Sequence, residues 1–288
     1  MLKEMVETLK KQSVQEVHVS YEAANKLKNA FSNLRFRKDN ECLNIREWLG
    51  NVVKYSLNDE VINTIQDFKS DDDQCALIIR GLPIDSNLCA TPYNGYVPPS
   101  KVPLASAICV GICQCTQIQA VSCQNENKGL LFRHVVPALK VRSNFILLDN
   151  LIAQLSRGVV NELCQPNFRI TRPDSFGQSP SSRLPILVIG EDGVMLCRYD
   201  KENTIPLTES TAALVMLEAH LQNESLKQHV VYQPGNLLII KNQRLLHSRE
   251  GFKSRSDGAG RWLARMFGVS TLERIVPATP EFQHIGKN

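Results

Sequence analysis

The residues best equipped for chemistry lie late in the chain. They are His247 in Leu246-His247-Ser248-Arg249, and Arg261 and Arg265 in Gly260-Arg261-Trp262-Leu263-Ala264-Arg265. An imidazole can ligate a metal or move a proton, and a guanidinium is a planar fork of five donors that fits a carboxylate bidentately. Arg261 and Arg265 are four residues apart, so on a strand, where side chains alternate, they share a face. Ahead of them, Leu237-Leu238-Ile239-Ile240 reads as a buried strand that leads to the histidine. Ordinary roles compete for each group: a hydrogen-bonded histidine at a strand end, and a pair of surface arginines.

The elements that must position these groups follow from periodicity. Glu22 to Leu34 and Ile45 to Tyr55 place apolar residues at three- and four-residue intervals and read as helices. The acidic run Asp71-Asp72-Asp73 reads as a solvated loop, and Ala76 to Gly81 as a buried strand. Thr91 to Pro103 is loop by its Pro, Gly and Tyr content, and a helix follows from Leu104 to about Gln119. Leu130 to Pro137 reads as a strand stopped by proline, and Asn150 to Leu163 as a helix. Further strands are expected at Phe168–Thr171, Pro185–Gly190, Val194–Tyr199, Leu237–Lys241 and Trp262–Val269, with a helix at Ser210–Gln222. Helices gathered early and short strands late, without regular alternation, argue for an α+β fold.

Composition narrows the classes. With 43% hydrophobic and 22% charged residues, 288 residues suffice for an ordinary globular core. A net charge of +4 with no basic block argues against nucleic acid as a partner. The first eleven residues scatter charges and have no apolar core, unlike a signal peptide, and Leu104 to Ile118 is too short to span a bilayer. The expectation is a cytoplasmic protein with no membrane partner. Cys109, Cys113, Cys115 and Cys123 cluster among nine cysteines, but a C-x3-C-x-C spacing is not that of a zinc site. Buried thiols on an apolar helix are the simpler reading. No Walker loop, GxGxxG or GxSxG occurs, which removes support for nucleotide hydrolysis, dinucleotide redox and α/β-hydrolase chemistry.

The order and spacing of Gly235 to Arg265 resemble the C-terminal core of the Fe(II)/2-oxoglutarate oxygenases, in the TauD-related, clavaminate-synthase-like branch that hydroxylates free amino acids. Weaker similarities run collinearly ahead of it: Ala76 to Gly81, Thr91-Pro92, Gly129 to Pro137, Gln165 to Ile170 and Pro173 to Phe176. The resemblance implies a single domain over 1–288, with a helical part over 1–70 and a double-stranded β-helix (jelly-roll) core over 71–288, incomplete and flanked by helices. It implies Fe(II) and 2-oxoglutarate as cofactors, O2 as co-substrate, and oxidative decarboxylation to succinate and CO2 coupled to hydroxylation.

By the same resemblance His247 matches the distal histidine ligand of the iron, and Arg261 the arginine that grips the distal carboxylate of 2-oxoglutarate. Ser143 falls near the threonine that also contacts that cofactor. Arg265 matches a contact to the amino-acid carboxylate, and Asp200 and Glu202, read as one strand face, an acidic pair for a basic side chain. A solvated turn is the competing reading of that pair, and Gln124 is a further substrate contact.

The sequence departs from the family in one respect. A His-x-Asp or His-x-Glu pair is expected after Pro137, yet all six histidines lack an acidic residue two positions on. The metal-binding loop, at least one core strand, one histidine and the carboxylate are missing by this reading, with His134 as a substitute ligand. Ser248 stands where the family has glycine, and Lys241 where it has aspartate. Three functions follow: an amino-acid hydroxylase, a catalytically impaired relative that keeps the Arg261 cradle, and anion or nucleic-acid binding through the late arginines.

Overall fold

The computed structural model describes residues 13–32, 42–88, 101–122, 132–136, 142–171, 182–190, 193–207, 210–251 and 262–269. Its centre is a pair of facing sheets. The larger is built from β1 (Ser13–His18), β2 (Gln74–Arg80), β3 (Gln119–Ser122), β4 (Phe132–Val136), β12 (Leu237–Ile240) and β14 (Trp262–Val269), ordered β1-β2-β12-β4-β14-β3. The smaller is β11 (Gln228–Val231), β5 (Arg142–Leu147) and β13 (Leu245–Arg249), with β5 in the middle. Among the described pairings only β1 with β2 is parallel.

Alternation along the strands sorts the core into layers. Leu77 and Ile79 of β2 and Leu237 and Ile239 of β12 pack outward against α1 (Tyr21–Phe31), α2 (Cys42–Ser56), α3 (Asp59–Ser70) and α4 (Pro103–Cys115). Ala76, Ile78, Leu238 and Ile240 pack inward against Phe145, Leu147, Val230 and Leu245 of the smaller sheet. The smaller sheet's other face, with Ile146 and Leu246, is covered by α5 (Leu148–Ile152), α6 (Arg157–Leu163) and α7 (Thr211–Leu221). Two further short ladders complete that side: β10 (Thr204–Pro206) with β6 (Phe168–Ile170) and β7 (Ser182–Leu184), and β8 (Leu187–Ile189) with β9 (Met195–Cys197).

Local chemistry explains the boundaries. Ser20 caps α1 by accepting from the Ala23 amide at 3.1 Å, and Glu22 and Lys26 pair one turn apart. The expected helix from Asn150 to Leu163 is two helices, because Ser156 breaks it to cap α6, accepting from the Val159 amide at 3.4 Å. Pro103 starts α4, and the Asp85 carboxylate takes the exposed amides of Leu104 and Ala105 at 2.9 and 3.0 Å. Nine residues of α4 are buried, consistent with a helix apolar on every side. Gly111 lets it approach α2, since a methyl there would lie 2.7 Å from the Leu49 carbonyl oxygen. Cys109 and Cys113 are buried in this helix, and burial pushes the Cys109 thiol up to about 12.

Several elements had no sequence signal strong enough to read. β1 falls within the stretch expected to be helical and extends the larger sheet, so the sheet begins at residue 13 and not after residue 70. β3, β5, β7, β10, β11 and β13 were not anticipated either. β7 and β10 are three residues long, too short to display a period. The expected loop over Thr91–Ser100 lies outside the described residues. None of the helices among them is long and apolar enough to cross a membrane.

Candidate active site between the sheets

His247 does not end the apolar strand that precedes it. Leu237–Ile240 belongs to the larger sheet, and the chain turns at Lys241–Arg244 into β13 of the smaller one, where His247 is the middle residue. Its register partner is Phe145, which is 1% exposed in the core between the sheets. Leu245, two residues earlier, faces the same core, whereas Leu246 packs on the opposite side. The His247 side chain therefore faces the inter-sheet space, half-buried.

Ser143 faces the same space. It lies two residues before Phe145 on β5, is 1% exposed, and is in register with Val230 and Arg249. His247 and Ser143 are thus diagonal neighbours across one antiparallel pair, a spacing of about 7–8 Å. Arg249 shares their strand face and is more exposed, at the outer end of β13. The sequence singled it out only among the late arginines able to bind an anion, although its place two residues after His247 puts it on the same strand face.

The larger sheet supplies the opposing wall. Arg265 on β14 pairs with Arg133 on β4, which pairs with Leu238 on β12, and Leu238 belongs to the inter-sheet core. Leu263, two residues before Arg265, packs against that same core. His134 occupies the neighbouring register row, Leu237–His134–Ala264, and Leu237 belongs to the core on the helix side. Arg261 and Gln124 lie outside the described residues.

Asp200 and Glu202 do not lie on a strand face. β9 ends at Cys197, and Asp200 caps the 3-10 turn Lys201–Asn203, its carboxylate accepting from the Glu202 amide at 3.1 Å. Both are exposed, as in the solvated-turn reading. Tyr199 tethers this turn to α7 by donating to Glu218 Oε1 at 2.8 Å. Burial, with the Glu218 hydrogen bond, holds the Tyr199 phenol above its ordinary range.

Electrostatics concentrate at the turn before His247. Arg244 Nη2 stands 3.4 Å from Asp149 Oδ2, with both side chains nearly sealed from water. Burial raises the Asp149 carboxyl pKa above its ordinary value, and the Arg244 charge opposes that rise. Lys241 Nζ donates to the Asp71 carbonyl at 2.7 Å and lies over the Phe68 ring. Burial lowers the Lys241 pKa, opposed first by Asp72. The acidic run is a loop, but its carbonyl oxygens receive these two cations. Nothing in the sequence links Asp149 to Arg244, 95 positions apart.

For an iron site, His247 is suited by type and position. Among the described residues no group of three or more His, Cys, Asp or Glu side chains could hold a metal ion. Residues 137–141 alone separate β4 from β5, and β13 is paired on one side only among the described strands.

The model of the taurine catabolism dioxygenase TauD, TfdA family matches residues 149–267, a span holding His247, Arg261 and Arg265. L-asparagine oxygenase from Streptomyces coelicolor is 29% identical over 244 residues, 69% of this chain and 72% of that protein. L-ornithine/L-arginine 3-hydroxylase from Catenulispora acidiphila is 44% identical over 43 residues, 15% of this chain and 12% of its own length. Asparagine oxygenase in complex with Fe(II), 2S,3S-3-hydroxyasparagine and succinate superposes with a TM-score of 0.77 at 22% identity, covering 93% of this chain and 98% of that one. The non-heme iron oxygenase OrfP with Fe and alpha-ketoglutaric acid superposes with a TM-score of 0.71 at 19% identity, over 91% and 96% of the two chains. The family match opens at Asp149, just after β5, and closes within β14, so the part of the chain that resembles the TauD, TfdA family spans the whole turn, strand and arginine segment described above.

Proposed function

We propose that this chain is an Fe(II)/2-oxoglutarate-dependent oxygenase that hydroxylates a free L-amino acid with a basic side chain, within a double-stranded β-helix that lacks one strand of its smaller sheet. The observation that carries this reading is the inward placement of His247 beside Ser143, opposite the wall that includes β14. His247 ligates the iron, Arg261 and Ser143 hold 2-oxoglutarate, and Arg265 takes the substrate carboxylate. Gln124 is assigned to the far end of the substrate. When bound, iron with 2-oxoglutarate and O2 supplies the oxidising power for C–H hydroxylation. The chain's own part is to bind, orient and exclude water around that centre.

A second reading is favoured by a specific observation, the lack of a three-ligand cluster among the described residues. In it the chain keeps the cofactor cradle but holds iron too weakly for turnover, since a single imidazole cannot impose the usual facial geometry. Succinate release from 2-oxoglutarate under saturating Fe(II) separates the two. Stimulation by arginine, lysine, ornithine or asparagine is the expected result, and His247→Ala should lower that rate at least a hundred-fold. Calorimetric binding of 2-oxoglutarate or amino acid without any succinate supports the second reading instead.

A further inference from the structure

The turn that carries the chain from the larger sheet to the smaller is held at both ends by contacts that the proposed chemistry does not use. At one end Arg244 pairs with Asp149 at 3.4 Å, and the neighbouring Leu148 amide donates to the Arg244 carbonyl at 3.1 Å. At the other, the Lys241 amide donates to the Cys75 carbonyl at 2.9 Å and its Nζ to the Asp71 carbonyl at 2.7 Å. His247 lies three residues beyond Arg244.

Stability is a poor reason for such a pair. Desolvating two charges offsets much of their attraction, and apolar side chains of similar volume often replace a buried pair without loss. Register is a better reason. β13 opens with Leu245-Leu246, and its partner β5 closes with Ile146-Leu147, so both faces of this pairing are apolar and both are covered by core. Sliding β13 by one residue exchanges leucine for leucine at one of these two positions and brings His247 or Arg244 to the other, so the hydrophobic pattern opposes the slip through a single residue. The same slip turns His247 to the opposite face. The ion pair sits where the pairing starts, beside Leu245↔Leu147, and spans the two strands that must not slide.

We propose that Asp149 and Arg244 are positioning residues that lock β13 in register with β5 and so keep His247 facing the inter-sheet space. The functional meaning of this lock rests on His247 as an iron ligand, but its structural content does not. The test uses the full chain carrying Asp149→Leu with Arg244→Met. The urea midpoint should stay at or above wild type, while amide exchange of β13 accelerates at least ten-fold relative to β12, and anaerobic Fe(II) affinity falls about ten-fold. Reversing the pair, Asp149→Arg with Arg244→Asp, should restore β13 protection. If the apolar pair does not fold, Arg244→Lys, which keeps the charge without the fork, is read in the same way. Unchanged β13 exchange in a folded variant overturns the proposal. Accelerated β13 exchange with iron uptake unaltered, or with none in wild type, upholds the lock and counts against His247 as the ligand.

Discussion

Arg244→Met alone is expected to destabilise the fold by about 3–5 kcal/mol near neutral pH, because it strands a carboxylate in a nearly sealed site. The effect should depend on pH with a definite sign. Burial already raises the Asp149 carboxyl in the fold, and removing Arg244 removes the charge that opposes the rise. A raised carboxyl binds protons more readily folded than unfolded. Its stability penalty is therefore absent below the unfolded value of about 3.9 and grows as pH climbs through the raised value. Urea unfolding at pH 5 and pH 8 should show the smaller deficit at pH 5. A deficit independent of pH would mean that Asp149 is not the stranded group. The contrast with the paired apolar replacement is the informative part, since one lost charge costs more than two.

Gly235→Ala should cost on the order of 2–5 kcal/mol, from left-handed backbone strain of about 1–2 kcal/mol and overpacking of about 1–3 kcal/mol. Gly235 has φ +81°, and a methyl there would lie 2.3 Å from the Leu82 carbonyl oxygen. Backbone oxygen cannot rotate away as a flexible side chain can. The Leu82 amide also donates to the Gly235 carbonyl at 2.9 Å, so separating the two segments breaks a hydrogen bond just ahead of β12. Gly193→Ala is the control: its φ is +80°, but nothing lies within 4 Å of the added methyl. It should lose only the backbone term. Equal destabilisation of the two variants in urea would show that the contact with Leu82 carries no cost.

What could be read from the sequence followed from how strongly each segment was patterned. α1, α2, α4 and α7 announced themselves by period, and β2, β12 and β14 by long apolar runs. β13 was hidden because Leu245 and Leu246 are both apolar while Ser248 and Arg249 are polar, which leaves no alternation. The Asn150–Leu163 stretch misled because its period continues through Ser156, which caps a new helix. His247 stood out as a candidate through its neighbours in the sequence. Its partners were not, since Ser143 and Phe145 lie about a hundred positions away and reach it only through strand pairing. Asp200 and Glu202 looked like a strand face by spacing alone, and the cap that Asp200 makes decided otherwise. Lys241, a departure from the family's aspartate, proves to be one of the two cations that fasten the turn.

The family accounts for the late half of the chain better than for the middle. The match begins just after β5 ends. The smaller sheet has an ordered inner face, since Phe145, Leu147, Val230 and Leu245 are buried together. β13 is an edge among the described strands, and an unpaired edge is open to pairing with another chain.

The most direct measurement is anaerobic calorimetry of 2-oxoglutarate binding with and without Fe(II), on the wild-type chain, His247→Ala and Arg261→Ala. Binding that tightens with iron, loses that tightening in His247→Ala and vanishes in Arg261→Ala is the predicted result. Binding indifferent to iron and to both substitutions would contradict the assignment of a shared cofactor cavity to these two residues.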